Sequence, residues 1–293
     1  MVDVRVLVIA NPAAGGASRE LVWRVVRACR RPVSVRWTTS PGEATSIARG
    51  CPADLVVSVG GDGTAREVAA GLATAWRPAP MMVVPGGTAN SMYRSLWGRT
   101  PWPSALRQAL SGLPPRRLDL ARLDDRLVLA GASTGFSAQV IHAAKAAGTS
   151  YQEAIAALAP DYRPYPGRVV VDGVEVHSGS TLVVNVGGSR YRGGEFKLLP
   201  HSALDDGLLD VCVIGGEHGL PEMLARTRHG AHADLPGVRY TRGRTVVLER
   251  TDDRPLWFEH DGEVIQPAPG PRRLTVLPGA VEAIGAPVTA LAA

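Results

Sequence analysis

The chain has 293 residues with 45% hydrophobic residues, which predicts two globular domains with ordinary apolar cores. No apolar run approaches the ~18–20 residues of a membrane span, and the N-terminus lacks the basic-then-apolar layout of a signal peptide. Cys29, Cys51 and Cys212 are far apart without CxxC spacing, which argues against a zinc site or disulfide framework and favours a reducing compartment. We therefore expect a cytoplasmic protein.

The formal net charge of +5 comes almost wholly from arginine, because Lys145 and Lys197 are the only lysines. A basic balance suits nucleic acid, anionic lipid or nucleotide phosphates, and no arginine run is dense enough to choose among them. We expect no nucleic-acid partner. A solvated, arginine-rich surface is the simpler expectation. The scarcity of lysine excludes a GxxxxGK[ST] phosphate loop, so any nucleotide site must use backbone amides and arginines.

The first hundred residues alternate between apolar strands and segments with helical spacing, which predicts a doubly wound parallel sheet. One helix is expected to begin with Ser40 as its cap and Pro41 in its first position. The carboxyl ends of parallel strands lie at one edge of a sheet, where ligands gather. Three glycine-bearing turns should meet at that edge: 11–16, 60–64 and 86–90.

The second half has a different texture. A proline-rich junction with one short helix, 99–118, leads to a hairpin around Asp124 and Asp125 and a helical stretch over 138–159. Short β-rich runs separated by DG, GG and PG turns then continue towards the C-terminus. This pattern predicts a β-sandwich or barrel-like domain over 119–279, after an α/β domain over 1–118.

The strongest chemical signal is "GGDGT" at 60–64, where a strand meets a helix. Glycines let backbone amides approach a polyphosphate, and Asp62 would repel phosphate unless a magnesium ion lies between them. The alternative is a structural turn in which Asp62 caps the helix. "NPAAGG" (11–16) and "VPGGTAN" (84–90) are weak signals alone, the latter being equally a turn capped by Thr88 or Asn90. Their convergence favours a nucleotide site.

Two acidic stretches of the second half admit a functional and a structural interpretation. "PHSALDDGLLDV" (200–211) could hold a hard cation with a carboxylate of Asp205 or Asp206 and carbonyl oxygens, or form a simple turn with a solvated acidic pair. "FEHDGEVI" (258–265) is typical of a hairpin tip, but a carboxylate projecting from it could be a general base.

Two further stretches are less informative. "HGAHAD" (229–234) is expected to be a surface loop without metal. Trp97 and Trp102 are expected to pack at the domain junction, with insertion into a lipid interface as the alternative.

Taken in order, the motifs resemble the diacylglycerol kinase catalytic-domain family, which includes soluble bacterial lipid kinases and sphingosine kinases. The resemblance rests on "NPAAGG", "TTSPGEA", "GGDGTAREVAAGL", "PGGTAN", "GASTGFSAQV", "DDGLLDV" and "DGE", and extends over nearly the whole chain. It implies an N-terminal nucleotide-binding domain, a C-terminal β-sandwich domain and an active site in the cleft between them. It also implies that 280–293 returns to the first domain.

The resemblance implies an ATP- and Mg²⁺-dependent kinase that phosphorylates a hydroxyl of diacylglycerol or a related lipid alcohol, with transient contact at the inner face of the membrane. Glu263 would be the base and Asp62 would help to hold the catalytic magnesium. A structural magnesium site would use Asp206 with the carbonyls of Ala203 and Leu208. The implied ATP-binding residues are Asn11, Pro12, Ala13, Ala14, Gly15, Thr39, Gly60, Gly61, Asp62, Gly63, Thr64, Ala65, Arg66, Gly87, Thr88 and Asn90.

Two residues depart from the family pattern. Ser91 stands where soluble diacylglycerol kinases usually have aspartate, and Arg66 replaces a common asparagine, where it could bind phosphate. Two other functions therefore stay open: an NAD kinase-like enzyme, which shares GGDG, and a regulatory protein that binds nucleotide or lipid without turnover. The identity of the lipid is not readable from the sequence, and pairing of edge strands in a homodimer is a further open possibility.

Overall fold

The computed structural model describes residues 5–50, 52–194 and 196–286. Cys51 and the last residues of the 280–293 segment lie outside this range. The chain divides into two compact units, one formed by Met1–Asp119 with Pro278–Ala293 and the other by Leu120–Leu277. Among the described residues, none of the helices has the length and apolar composition of a transmembrane segment.

The first unit is an α/β layer built on a parallel sheet. Strands β1 to β4 lie in the order β2-β1-β3-β4, all parallel, and Ala283 near the C-terminus pairs beside Met81. The central strands are buried on both faces, as their continuous apolar sequences predict. The elements are β1 (Val6–Ala10), α1 (Arg19–Cys29), β2 (Val33–Trp37), α2 (Glu43–Gly50), β3 (Leu55–Gly60), α3 (Asp62–Ala73), β4 (Met81–Pro85), α4 (Ser91–Trp97) and α5 (Trp102–Leu110).

The expected start of α2 is wrong. The helix begins at Glu43 rather than beside Ser40, because Gly42 adopts a left-handed conformation with φ +82°. The Glu43 carboxylate accepts hydrogen bonds from the Thr39 and Ser40 amides and closes this turn. Helix α2 then packs closely on α3, where a Cβ on Gly71 would lie 2.4 Å from the Thr45 carbonyl oxygen. Trp97 is buried within this unit, which excludes it as a lipid anchor.

The second unit is a mainly antiparallel sheet with helices packed on one face. The strands form the path β14-β13-β7-β9-β8-β12-β15, with β10 and β11 joined through β9, and β5 and β6 joined through β15. Its elements are β5 (Arg116–Leu123), β6 (Arg126–Val128), β7 (Gly131–Gly135), α6 (Phe136–Ala147), α7 (Tyr151–Leu158), β8 (Tyr165–Val171), β9 (Val174–Gly187), β10 (Leu209–Gly215), α8 (Leu220–Thr227), β11 (Arg239–Gly243), β12 (Thr245–Arg250), β13 (Leu256–His260), β14 (Glu263–Ala268) and β15 (Arg272–Ala283). Strands β5 and β15 begin in one unit and end in the other.

Two apolar cores cover the two faces of this sheet. Val211 and Val213 of β10 belong to the core between the strands, whereas Cys212 and Ile214 belong to the core beneath the helices. This alternation follows the two-residue period of a strand and explains why β10 is buried along its whole length. The predicted helical stretch over 138–159 is two helices, α6 and α7, because Gly148 ends α6 with φ +65° and Ser150 starts a capping box with Glu153.

The segment 229–234 is a run of turns in which His229 and Asp234 are exposed, as predicted for a surface loop, but His232 departs from that prediction. His232 is fully buried, and one ring nitrogen lies 3.1 Å from the Leu198 carbonyl oxygen. Burial lowers the pKa of His232 below 6.5, an effect that this hydrogen bond only partly offsets.

Candidate functional site

Three glycine turns meet at the carboxyl edge of the parallel sheet, where the sequence predicts them. The Gly16 amide donates to the Gly86 carbonyl at 2.9 Å, and the Gly86 amide donates to the Gly60 carbonyl at 2.8 Å. A Cβ on Gly87 would lie 2.4 Å from the Cα of Gly61, so the turns after β3 and β4 touch through their backbones. Side chains at these positions would push the turns apart, which explains why glycine is needed there.

Asn11 connects the turn after β1 to the start of α3. Its side-chain amide donates to the Thr64 hydroxyl at 3.2 Å, and its side-chain oxygen accepts the Ala13 amide at 2.9 Å. Thr64 and Ala65 are buried, whereas Pro12, Ala13 and Gly15 are exposed. The predicted binding residues therefore include a buried support, which positions the turns, and an exposed rim.

Two glycines among the predicted binding residues, Gly15 and Gly63, have no packing reason to be glycine. A Cβ on Gly15 or Gly63 would meet no atom within 4 Å, and neither residue has a positive φ. Gly63 lies in the first turn of α3, where backbone N–H groups lack partners in the helix and the helix dipole favours anions. These two positions lack a side chain although the fold has room for one, and the exposed backbone N–H groups suit close approach by a phosphate group.

Asp62 caps a helix, but not the helix in which it lies. Its two carboxylate oxygens accept the backbone amides of Ser91 at 3.0 Å and Met92 at 2.8 Å, which begin α4. Asn90, with φ 50°, turns the chain into α4, and its side chain bonds both the amide and the carbonyl of Gly87. The expected capping by Thr88 or Asn90 is thus replaced by Asp62, because the β3 and β4 turns are in contact.

Thr39 and Arg66 lie on the outer part of this edge. The Thr39 hydroxyl donates to the Glu43 carboxylate at 2.8 Å, and hydrogen bonds from the Thr39 amide and hydroxyl hold the pKa of Glu43 below its usual value. Arg66 is half-buried on α3, and Thr88 is exposed in the loop before α4.

In the second unit, the "DGE" sequence forms the tight hairpin that a DG pair predicts. Asp261 and Gly262 have φ values of 48° and 79°, as a two-residue turn of type I′ requires. The turn joins β13 to β14, and His260 pairs directly with Glu263. Glu263 begins β14 with 38% of its side chain exposed.

Asp261 anchors this hairpin to the rest of the unit. Its carboxylate accepts the backbone amides of Leu129 at 2.9 Å and Ala130 at 2.7 Å. Burial acts to raise the pKa of Asp261, but the neighbouring His260 ring and the Arg192 guanidinium outweigh it and lower that pKa. Asp261 is therefore a buried anion held by backbone donors.

Glu259, two residues before Asp261, also anchors this hairpin. Its carboxylate accepts hydrogen bonds from the Ser133 hydroxyl at 2.5 Å and the Gly262 amide at 3.1 Å, and it forms an ion pair with Arg192. Glu259 is completely buried. Sequence reasoning names Glu259 only as part of an acidic hairpin and misses Arg192 and Ser133, which come from distant segments. An ionisable residue in the middle of an apolar strand is the one signal that could have indicated a buried pair.

The acidic loop after residue 200 folds around Asp206. One carboxylate oxygen accepts the Leu208 amide at 3.0 Å, and the other accepts from Arg242 at 3.3 Å. Gly188 approaches the Ala203 carbonyl so closely that a Cβ on this glycine would lie 3.3 Å from that oxygen. Asp210 follows in β10, and burial raises its pKa to about 6. Among the described residues, no three His, Cys, Asp or Glu side chains are grouped to hold a metal.

Both halves of the chain match family models. Residues 5–123 match the diacylglycerol kinase catalytic domain, and residues 128–285 match the YegS C-terminal NAD kinase beta sandwich-like domain. The chain belongs to the diacylglycerol kinase catalytic-domain family. This family membership and its two-domain architecture are those that the sequence motifs predict.

Relatives named "Probable lipid kinase YegS-like" are similar over most of the chain. The relative from Pectobacterium atrosepticum is 33% identical, covering 78% of this chain and 77% of its own length. The relative from Pseudomonas aeruginosa PAO1 is 29% identical, covering 95% and 93%.

Solved structures show the same fold. A diacylglycerol kinase from Bacillus anthracis str. Sterne has a TM-score of 0.72 and 19% identity, covering 97% of each chain. An NAD kinase from Archaeoglobus fulgidus, solved in complex with ATP, has a TM-score of 0.52 and 14% identity, covering 93% of this chain and 90% of its own. At these identities the likeness concerns the fold alone.

Proposed function

We propose that this protein is a lipid kinase that transfers the γ-phosphate of ATP, with Mg²⁺, to a hydroxyl of diacylglycerol or a related lipid alcohol. The observation that carries the proposal is the contact of three glycine turns around Asp62, with a bare backbone at Gly15 and Gly63. The names of the relatives support a lipid acceptor. The first unit is proposed to bind the nucleotide and the second the lipid.

The proposed nucleotide site uses backbone donors rather than lysine. The turn after β1 and the first turn of α3 would bind phosphate oxygens through N–H groups, with Asn11 fixing the distance between them. Thr39, Thr88 and Arg66 would contact the nucleotide from the rim. The predominance of arginine over lysine in this chain agrees with such a site.

Asp62 fits the role of a magnesium ligand. Two backbone amides fix the orientation of its carboxylate, one on each oxygen, and a carboxylate can accept about four hydrogen bonds or metal contacts in all. When bound, Mg²⁺ would neutralise charge on the transferring phosphate. A second, structural Mg²⁺ would be held by Asp206 with the carbonyls of Ala203 and Leu208. The hydrogen bonds of Asp206 to Leu208 and Arg242 fix this carboxylate in the same way.

Glu263 is the proposed general base. The acceptor oxygen bonds to the γ-phosphorus while the bond from that phosphorus to the ADP leaving group breaks, and the hydroxyl proton passes to the Glu263 carboxylate. Glu263 is half-exposed at the end of a hairpin anchored by Glu259 and Asp261, which suits a group that must meet a substrate.

A lipid acceptor resides in a bilayer, so we also propose transient contact with the inner face of the cytoplasmic membrane. Membrane binding is measured by co-sedimentation of the protein with vesicles that contain the acceptor lipid. The contact would be peripheral.

The test is transfer of label from [γ-³²P]ATP, with Mg²⁺, to a panel of diacylglycerol, sphingoid bases and NAD. Label in the organic phase supports the proposal, and label in NADP supports the NAD kinase-like alternative. Gly63→Ala is the sharpest variant, because the added methyl group meets no protein atom within 4 Å. We expect unchanged thermal stability with a raised KM for ATP. Glu263→Gln should abolish transfer while leaving ATP affinity intact, and full activity in that variant would refute the assignment of the base.

A further inference from the structure

The proposed base has a buried imidazole beside it that the mechanism above does not use. His260 is the last residue of β13 and is fully buried. Neither of its ring nitrogens has a hydrogen-bond partner among the described residues. A buried polar atom without a hydrogen bond costs free energy, so we expect this imidazole to gain a hydrogen-bond partner during the reaction.

Two carboxylates flank the ring, one on each nitrogen. Nδ1 lies 3.6 Å from a carboxylate oxygen of Asp261, and Nε2 lies 3.9 Å from a carboxylate oxygen of Glu263. His260 and Glu263 are directly opposite each other in the β13–β14 ladder, so their side chains share one face of the sheet. In space, the His260 ring therefore lies between the carboxylates of Asp261 and Glu263.

The two carboxylates differ in burial. Asp261 is buried and fixed by the amides of Leu129, Ala130 and Gly131. Glu263 has 38% of its side chain exposed, and its carboxylate oxygen lies about 1 Å beyond hydrogen-bond distance of Nε2. A fixed carboxylate at Nδ1 selects the tautomer with the proton on Nδ1 and leaves the Nε2 lone pair facing Glu263.

We propose that His260 is a positioning residue for Glu263 that also takes over its proton; this rests on the proposed kinase function. As the acceptor oxygen bonds to phosphorus, its O–H proton passes to one Glu263 oxygen and from there to Nε2 of His260. Asp261 stabilises the resulting imidazolium, which returns the proton to water after product release. Glu263 is thereby restored as a carboxylate for the next acceptor.

The first test is kinetic and uses His260→Gln and His260→Phe. Glutamine keeps a hydrogen-bonding side chain but cannot take a proton. We expect both variants to lower kcat about 10- to 100-fold, as for hydrogen-bond partners of other active-site groups, with the KM for ATP unchanged. A kcat within twofold of wild type for both variants would overturn the proposal.

The second test does not depend on activity. In ¹H–¹⁵N spectra of histidine side chains, Glu263→Gln should shift the Nε2 resonance of His260 and leave that of His232 unchanged, since His232 is equally buried but bonds the Leu198 carbonyl. An unchanged His260 resonance would overturn the inference even if the kinase is active. If the wild-type protein labels no lipid, the proposed function fails, while the spectrum still decides whether the imidazole meets Glu263.

Discussion

Removing the Asp62 carboxylate should lower both the stability and the activity of the protein, because the residue has two roles. Its oxygens accept two amides at the start of α4, at 3.0 and 2.8 Å. Loss of a capping side chain costs about 0.5–2 kcal/mol, and loss of a negative charge at a helix N-terminus costs about 0.3–1 kcal/mol more. We therefore expect Asp62→Ala to lower the free energy of unfolding by about 1–3 kcal/mol. Asp62→Asn keeps one accepting oxygen and should lose roughly half of that.

Urea unfolding followed by tryptophan fluorescence measures this change, and the buried Trp97 of α4 lies in the affected helix. Asp125→Ala, in the exposed turn between β5 and β6, is the control and should stay within about 0.5 kcal/mol of wild type. Both Asp62 variants should lose kinase activity, since neither has a carboxylate for Mg²⁺. Wild-type stability of Asp62→Ala would refute the capping argument, and full activity of Asp62→Asn would refute the magnesium role.

Three further predictions concern the packing of each unit. Burial lowers the pKa of His232 below 6.5, so the unfolded chain binds more protons than the folded chain and the free energy of unfolding falls as the pH decreases below that value. In urea titrations between about pH 6.5 and 5, the free energy of unfolding of His232→Asn should fall less steeply than that of the wild type. Burial raises the pKa of Cys29 to about 11 and of Cys212 to about 12, so Ellman's reagent at pH 8 should label neither in the native protein and both in urea; rapid native labelling of either would contradict this. Gly71→Ala places a methyl group 2.4 Å from the Thr45 carbonyl, and we expect a loss of about 1–3 kcal/mol by calorimetry, where an unchanged melting temperature would show that α2 and α3 separate without cost.

Local sequence pattern predicts that the glycine turns meet at the carboxyl edge of the parallel sheet. Apolar runs define β1, β3 and β4, and the rule that parallel strands end at one edge brings the glycine turns together. The direct backbone bonds between Gly16, Gly86 and Gly60 then follow from the absence of side chains. Local pattern also predicts the type I′ turn at Asp261 and Gly262, since few residues other than Asp, Asn and Gly adopt positive φ at both positions.

What local pattern cannot show is which distant group satisfies a buried polar atom. The position of Asp62 suggests a cap of its own helix, yet it binds amides 29 and 30 positions further along the chain. Glu259 meets Arg192 across 67 positions and Ser133 across 126. The polar neighbours of His232 predict a surface position, but a tertiary contact with Leu198 buries it. Each of these depends on the packed fold.

In one proposed site a single carboxylate has both a structural and a chemical role, whereas in the other these roles belong to different carboxylates. In the first unit, Asp62 both caps α4 and would hold the metal, so no single substitution removes one role alone. In the hairpin, Asp261 and Glu259 hold the turn through buried hydrogen bonds, while Glu263 stays half-exposed. A substitution at Glu263 should therefore change chemistry without unfolding the turn. For this reason Glu263→Gln tests the proposed kinase mechanism more cleanly than any change at Asp62.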